Sequence, residues 1–321
     1  MKKVNRILAL SLALLMAMTV CSSIAAVSAE AADREVKHIV YTCPTTDNEY
    51  FAMVAEGIQA FCDEKGIQFN FFGAGRTGYD AAEQYAQFEN FIIQGVDGII
   101  SCPVDDTSLQ EVVKEAQDKG IVVIGQAQSI AGADGNSIID DYQYGVELGN
   151  AAVAWAKKYL ADEEVIKVCL ITLDHQDQVR LRGDGMEDTI RRELPNAEIT
   201  YRQKAESTEE ALQVAETVLT AHPDLKLIAC VNDQMALGAW QAVENLNLYQ
   251  DNFYIGGGDN TGQIGNYVAD PNCAIRQSIH INPFQSGWNC AEMIYDQIVN
   301  GIPARTEYFL LVPNWQPGVM D

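Results

Sequence analysis

Several groups of residues in this chain have types and spacings that could do chemistry. Asp105-Asp106 pairs two carboxylates, as general acid–base work would require. Neighbours on a loop seldom point at one atom, however, and Asp106 or Thr107 is a natural cap for a following helix. Gly73-Ala74-Gly75-Arg76-Thr77-Gly78 satisfies G-x-G-x-x-G, a spacing that cradles a pyrophosphate when it follows the first strand of its unit. Here it follows a second strand, and Asp97 begins the next strand where an acid should close it. Gly256-Gly257-Gly258 precedes Asp259, which would repel phosphate. The four histidines, His38, His175, His222 and His280, show neither H-x-H nor H-E-x-x-H spacing, and G-x-S-x-G is absent from the sequence. An NAD-linked enzyme would rest on the glycines alone. Binding, without catalysis, metal or cofactor, is the expected class.

The elements that must position polar side chains alternate regularly. Strands are expected at 37–42, 68–72, 96–101 and 121–125, with helices at 50–65, 81–94 and 107–119 between them. In the second half, strands at 165–173, 197–202, 227–231, 253–257, 274–280 and 308–312 alternate with helices at 144–159, 207–221, 233–240, 262–268 and 284–300. Near-continuous apolar strands joined by short helical crossovers predict parallel sheets covered on both faces. The polar residues then fall where strands end. Ile228–Trp240 breaks from an apolar strand onto Asn232-Asp233 and resumes at helical spacing. Either residue could serve simply as an N-cap. The carboxyl edge of such a sheet is also where ligands bind.

The stretch Thr220–Ala239, TAHPDLKLIACVNDQMALGA, resembles the periplasmic sugar-binding proteins of the ribose-binding type, which are related to the ligand domains of LacI-type repressors. The resemblance covers nearly the whole chain beyond residue 29. It implies an α/β fold of two Rossmann-like lobes with parallel sheets, joined by a three-segment hinge, the type I periplasmic binding protein. The lobes implied are 36–138 with 282–307, and 139–281 with 308–321.

The resemblance also implies a ligand site. Asn232 stands at the sugar-facing Asn of N-D-x-M-A-x-G-A. Asp47-Asn48-Glu49-Tyr50-Phe51 is similar to N-P-[FY]-[FW], with Glu49 in place of Pro; it assigns Asn48 to the ligand and Tyr50 or Phe51 to stacking on it. A pyranose has an apolar face that suits an aromatic ring, and hydroxyls that need directional partners. Where the family carries Asp and Arg after the fourth strand, this chain has Ala127 and Gln128, so Gln126 and Gln128 are the polar candidates there. Arg180-Leu181-Arg182-Gly183-Asp184-Gly185 is similar to R-x-R-x-x-G, whose first Arg is the ligand residue, here Arg180. Gly258-Asp259-Asn260 is similar to G-[FY]-D-[GN] and assigns Asp259. The last strand supplies Gln277 in one register, and His280 or Ile281 in the other.

Composition bounds the partners. Lys2, Lys3 and Arg6 precede an apolar run and the small residues Ala25–Ala29, the pattern of a signal peptide over 1–29 cut after Ala29. Lipid attachment at Cys21 is the alternative, with Val20 a poor neighbour for it. Losing that segment makes the formal charge of -24 three units more negative. Such a surface repels nucleic acid. Seven of the eight cysteines lie beyond Ala29, an odd number without C-x-x-C spacing, and are expected as small buried thiols. The sum is an exported, monomeric protein, periplasmic or on the cell surface. The resemblance implies that it delivers a sugar to the membrane permease of an ABC importer. The alternative is a module presenting sugar to a chemoreceptor or sensor kinase.

Overall fold

The computed structural model describes residues 34–75, 78–105 and 107–320. The signal segment, Cys21 and Asp106 lie outside them. Among the described residues, two sheets of six strands each form two α/β lobes.

In the first lobe, β1 (His38–Cys43), β2 (Gln68–Gly73), β3 (Gly98–Ser101), β4 (Val122–Ala127) and β5 (Gly135–Ile138) run parallel with β11 (Thr306–Tyr308), in the order β11-β5-β4-β3-β1-β2. In the second, β6 (Ile166–Thr172), β7 (Ala197–Lys204), β8 (Leu227–Cys230), β9 (Tyr254–Asp259) and β10 (Ile275–His280) are parallel, and β12 (Val312–Trp315) pairs antiparallel with β10. The alternation read from the sequence is therefore the observed architecture.

Two details differ from expectation. The short polar strand β5, Gly-Asn-Ser-Ile, was not among the strands expected. It pairs because Asn136 Oδ1 accepts from the Ile130 amide at 3.0 Å, folding the preceding turn back against it. The single strand expected at 308–312 is two strands in two different sheets. Tyr308 pairs with Ile138, so the first lobe's last strand ends one residue past the expected divide at 307.

Helices cover both faces. In the first lobe, α1 (Glu49–Lys65) and α9 (Pro283–Tyr295) share a core with Tyr41 and Ile124, while α2 (Ala81–Gln94) and α3 (Gln110–Asp118) pack with Val40, Ile99 and Val123. The alternation of Val40 and Tyr41 between two cores is the strand period of two at work. In the second lobe, α4 (Asp141–Tyr159) packs on α5 (Asp177–Glu193), and α6 (Thr208–Ala221) on α7 (Asp233–Asn245); α8 (Gly262–Ala269) packs on β10. Helix α9 continues into one π-helical turn, Asp296–Asn300, before Gly301 closes it in the left-handed region.

The crossing of α4 over α5 is close enough to demand glycine. A Cβ on Gly145 would lie 1.9 Å from the Arg182 carbonyl oxygen. Gly145→Val is expected to cost about 3 kcal/mol or more, since neither backbone can yield without moving its helix. Urea midpoints check it, and an unchanged midpoint would mean the helices separate freely.

Candidate functional site

The carboxyl edges of the two sheets face one another. The loops after β1 to β6, β8 and β9 enclose a cavity of about 50 Å³ between the lobes. Its wall includes Asn48, Tyr50, Phe51, Gln128, Asn232 and Asp259, and also Tyr79, Gln176, Val179 and Arg182. Six residues named from the sequence thus meet around one space.

Capping chemistry decides what the two asparagines offer. Asn48 Oδ1 accepts from the Tyr50 amide at 2.9 Å at the start of α1, and Asn232 Oδ1 accepts from the Met235 amide at 3.0 Å at the start of α7. Each oxygen is spent satisfying a free helix N–H. Each side chain therefore turns an Nδ2 donor outward; that of Asn48 reaches Gln234 Oε1 across the cleft at 3.4 Å. The cap and ligand readings of Asn232 are compatible, because they use different atoms.

Acceptors oppose these donors. Gln128 Nε2 reaches Gln176 Oε1 at 3.4 Å, and its Oε1 is buried without a hydrogen-bond partner among the described residues. A buried unpaired carbonyl is costly, so a donor placed there by a ligand would be stabilising. Asp259 is 5% exposed, accepts from the Tyr144 hydroxyl at 3.3 Å and lies in the field of Arg182. Burial pushes its carboxyl up to about 7, against the pull of the Arg182 guanidinium and the Tyr144 hydroxyl.

Arg182 is held on every side. Its Nε and Nη2 donate to Asp141 Oδ1 at 2.9 and 2.6 Å, its Nη1 donates to the Val231 carbonyl at 3.0 Å, and its guanidinium lies 4.2 Å from the centre of the Tyr144 ring. Burial opposes its charge, and Asp141, Tyr144 and Asp259 together more than offset that. Gly258 makes room for this stack, since a Cβ there would lie 2.0 Å from the Tyr144 hydroxyl. The late Gly256-Gly257-Gly258 run is thus a packing device.

Three residues named from the sequence stand away from the cavity wall. Arg180 is 44% exposed and donates to Asp184 at 2.7 Å. The buried stripe of α5 is Val179, Arg182, Gly183, Met186 and Ile190, so two residues' rotation puts Arg180 on the outer face and Arg182 on the inner one. Gln126 sits behind Tyr50: it donates to the Tyr50 hydroxyl at 2.8 Å and to Ser286 Oγ at 3.2 Å, and accepts from the Tyr41 hydroxyl at 3.0 Å. All its groups are used in orienting that ring. Gln277 is fully buried beside the Tyr254 hydroxyl. In β10 it is His280 that lies level with Asp259, and three residues of strand, roughly 10 Å, separate Gln277 from that edge.

Tyr79, Gln176, Tyr144 and Asp141 were not named as site residues from the sequence. Gln176 carried a signal, as it lies in the polar stretch closing β6. Tyr79, at φ 57° beyond the glycine-rich turn, carried none.

The lobes also touch directly. Ser129 donates to Gln178 Oε1 through N and Oγ, both at 2.9 Å, and the Ser129 carbonyl accepts from Gln178 Nε2 at 3.1 Å. Gln176 Nε2 donates to the Val104 carbonyl at 3.1 Å, and Gln263 N to Glu49 Oε2 at 3.0 Å. These contacts describe a closed cleft. A larger cavity of about 590 Å³ lies at the chain crossings, beside Asn282, Phe309 and Val312. Its polar groups already serve one another: Gln285 donates to Asn289 at 2.8 Å and Asn289 to Glu307 at 3.1 Å. The smaller cavity is therefore the candidate functional site. All seven cysteines of the described residues are buried and free. Among those residues, no helix is long and apolar enough to cross a membrane.

Comparison with known proteins agrees with this geometry. The D-ribose/D-allose-binding protein of Pseudomonas aeruginosa is 29% identical over 239 residues, covering 70% of this chain and 72% of the relative. The ribose import binding protein of Bacillus subtilis is 26% identical over 253 residues, covering 76% and 77%. Among solved structures, an ABC transporter periplasmic solute binding protein from Actinobacillus succinogenes with bound D-allose superposes with a TM-score of 0.77 at 24% identity, over 88% of this chain and 99% of that one. The Caulobacter myo-inositol binding protein gives 0.77 at 20% identity, over 88% and 94%. The family model for the periplasmic binding protein domain matches residues 39–301. With two lobes meeting at their sheet edges and a match over most of its length, the chain belongs to the periplasmic binding protein family, in its ribose-type branch.

Proposed function

We propose that this protein is an exported solute-binding protein that closes on a small, neutral, polyhydroxylated ligand, a sugar or an inositol, and delivers it to an ABC importer. The observation that carries this reading is the mixed wall of the cavity. Asn48, Asn232 and Arg182 donate, Gln128 Oε1 and Asp259 accept, and Tyr50, Phe51 and Tyr79 supply apolar faces. Hydroxyls are both donors and acceptors, so a polyol can satisfy both sets at once. The ligand would enter by hinge opening and be enclosed on closure. The names of the relatives, with ribose import among them, favour the importer over a sensory module. The family is one of binding proteins, and we assign the chain no catalysis.

The resemblance implies an acid and an Arg after the fourth strand, where this chain has Ala127 and Gln128. We therefore leave the ligand open among pentoses, hexoses and inositols.

The test is a thermal-shift and calorimetry screen of the protein from Glu30 onward against D-ribose, D-allose, D-arabinose, D-glucose, D-galactose and myo-inositol. A true ligand at 100 times its dissociation constant adds about 2.7 kcal/mol of apparent stability. Asn232→Ala should weaken binding of that ligand about tenfold or more while leaving the fold intact. Silence across the panel, or unchanged affinity in Asn232→Ala, would overturn the reading.

A further inference from the structure

We infer that Asp233, together with Ser278, is a positioning residue for the ligand site: the two hold the turn Asp259-Asn260-Thr261 so that the Asp259 carboxylate faces the cavity.

The turn would not hold this shape unaided. Asp259 has φ 112° and Asn260 φ 51°, two consecutive non-glycine residues in a region that side chains disfavour. Such backbone persists only where its surroundings over-determine it. Here they do. Asp233 Oδ2 accepts from the Thr261 amide at 3.0 Å, and its Oδ1 accepts from Ser278 Oγ at 2.6 Å. Ser278 Oγ in turn accepts from the Asn260 amide at 2.9 Å. Both amides after Asp259 are thus tied, one directly and one through the serine, to a single carboxylate that is 2% exposed.

The surroundings admit that carboxylate by design of the sheet. Ser278 pairs with Gly257, and a Cβ on Gly257 would lie 3.0 Å from Asp233 Oδ1. Helix α7 begins at Asp233, immediately after the cavity-lining Asn232. One helix start therefore supplies a residue on the cavity and the residue that orients the opposite acceptor. Asp233 itself is absent from the cavity wall.

This inference rests on the reading of Asp259 as a ligand acceptor, and the test separates the two. Asp233→Asn and Ser278→Ala are made in the full exported chain, with Asp259→Asn as reference. The carboxyl ¹³C signals of Asp259 and of Asp233, which burial and the Asp259 charge raise and the Ser278 hydroxyl lowers, are both titrated by NMR without ligand, so that a change carried by Asp233 is told from a turn that has moved, and affinity for each sugar of the panel is measured by calorimetry. Positioning predicts that Ser278→Ala moves the Asp259 midpoint down from about 7 by about one unit or more, as the turn relaxes toward water. It also predicts that affinity falls about tenfold in Ser278→Ala, and that this loss vanishes when Asp259 is already Asn, because coupled residues are not additive. A merely structural role would leave the midpoint unmoved and the losses additive, which would overturn the inference. If Asp233→Asn does not fold, Ser278→Ala decides alone. If Asp259→Asn binds the sugars as tightly as the parent, the ligand reading fails. A shifted midpoint in Ser278→Ala would then still support positioning.

Discussion

Arg182→Met is expected to destabilise the protein by about 3–5 kcal/mol and to abolish ligand binding, while Arg180→Ala changes stability by no more than about 0.5 kcal/mol and leaves affinity unchanged. The two arginines are two residues apart, and nothing in their chemistry distinguishes them. Their surroundings do. The Arg182 side chain is 8% exposed and faces Asp141, itself 5% exposed, with two hydrogen bonds to one oxygen. Removing the guanidinium leaves a buried carboxylate uncompensated beside Asp259, and the isolated buried charge sets the cost. It also removes the cation that stacks on Tyr144 and draws Asp259 toward ionisation. Arg180 loses only a largely exposed pair with Asp184, a kind of contact worth little in water. Denaturant midpoints and calorimetry on both variants check the contrast. Equal losses from the two substitutions would mean that Arg182 does not serve the cavity.

Ligand affinity should rise about tenfold or more between pH 5 and pH 8, and binding near pH 7 should release a proton. In the ligand-free protein, burial raises Asp259 to about 7 from 3.8. For an acid raised on folding, the folded state binds the proton more tightly than the unfolded one. The stability that this contributes is full below about 4 and is lost as pH rises through about 7. A ligand whose hydroxyls donate to the carboxylate binds the ionised form, so binding lowers that value and expels the proton. At pH 5, well below it, most of the free protein carries the proton, and the neighbouring Asp233 carboxyl, raised by burial and by the Asp259 charge, titrates together with it. Titrations in buffers of different ionisation enthalpy count the protons, and Asp259→Asn should flatten the profile. A flat profile in the parent would show that Asp259 does not accept from the ligand.

The sequence alone was enough for the layered architecture. Apolar strands ending on polar residues, with helices at their own period between them, dictate parallel sheets covered on both faces; that there are two lobes was implied by the family resemblance. The ends of those strands carry Asn48, Gln128, Asn232 and Asp259 to one side. Cap chemistry was legible too, because Asn before a helix is local physics. What the sequence left undecided depends on faces and on crossings. Choosing Arg182 over Arg180 requires the rotational phase of α5 against β8, which a two-residue shift changes completely. The distance of Gln277 from the ligand edge depends on where β10 stops. The split of 306–315 between two sheets depends on which edges stand open for those residues to pair with. The strained turn at Asp259 follows from a hydroxyl on one strand, a carboxylate at the start of one helix and a glycine between them. Those three positions are scattered along the chain, and only the folded sheet brings them within hydrogen-bonding distance.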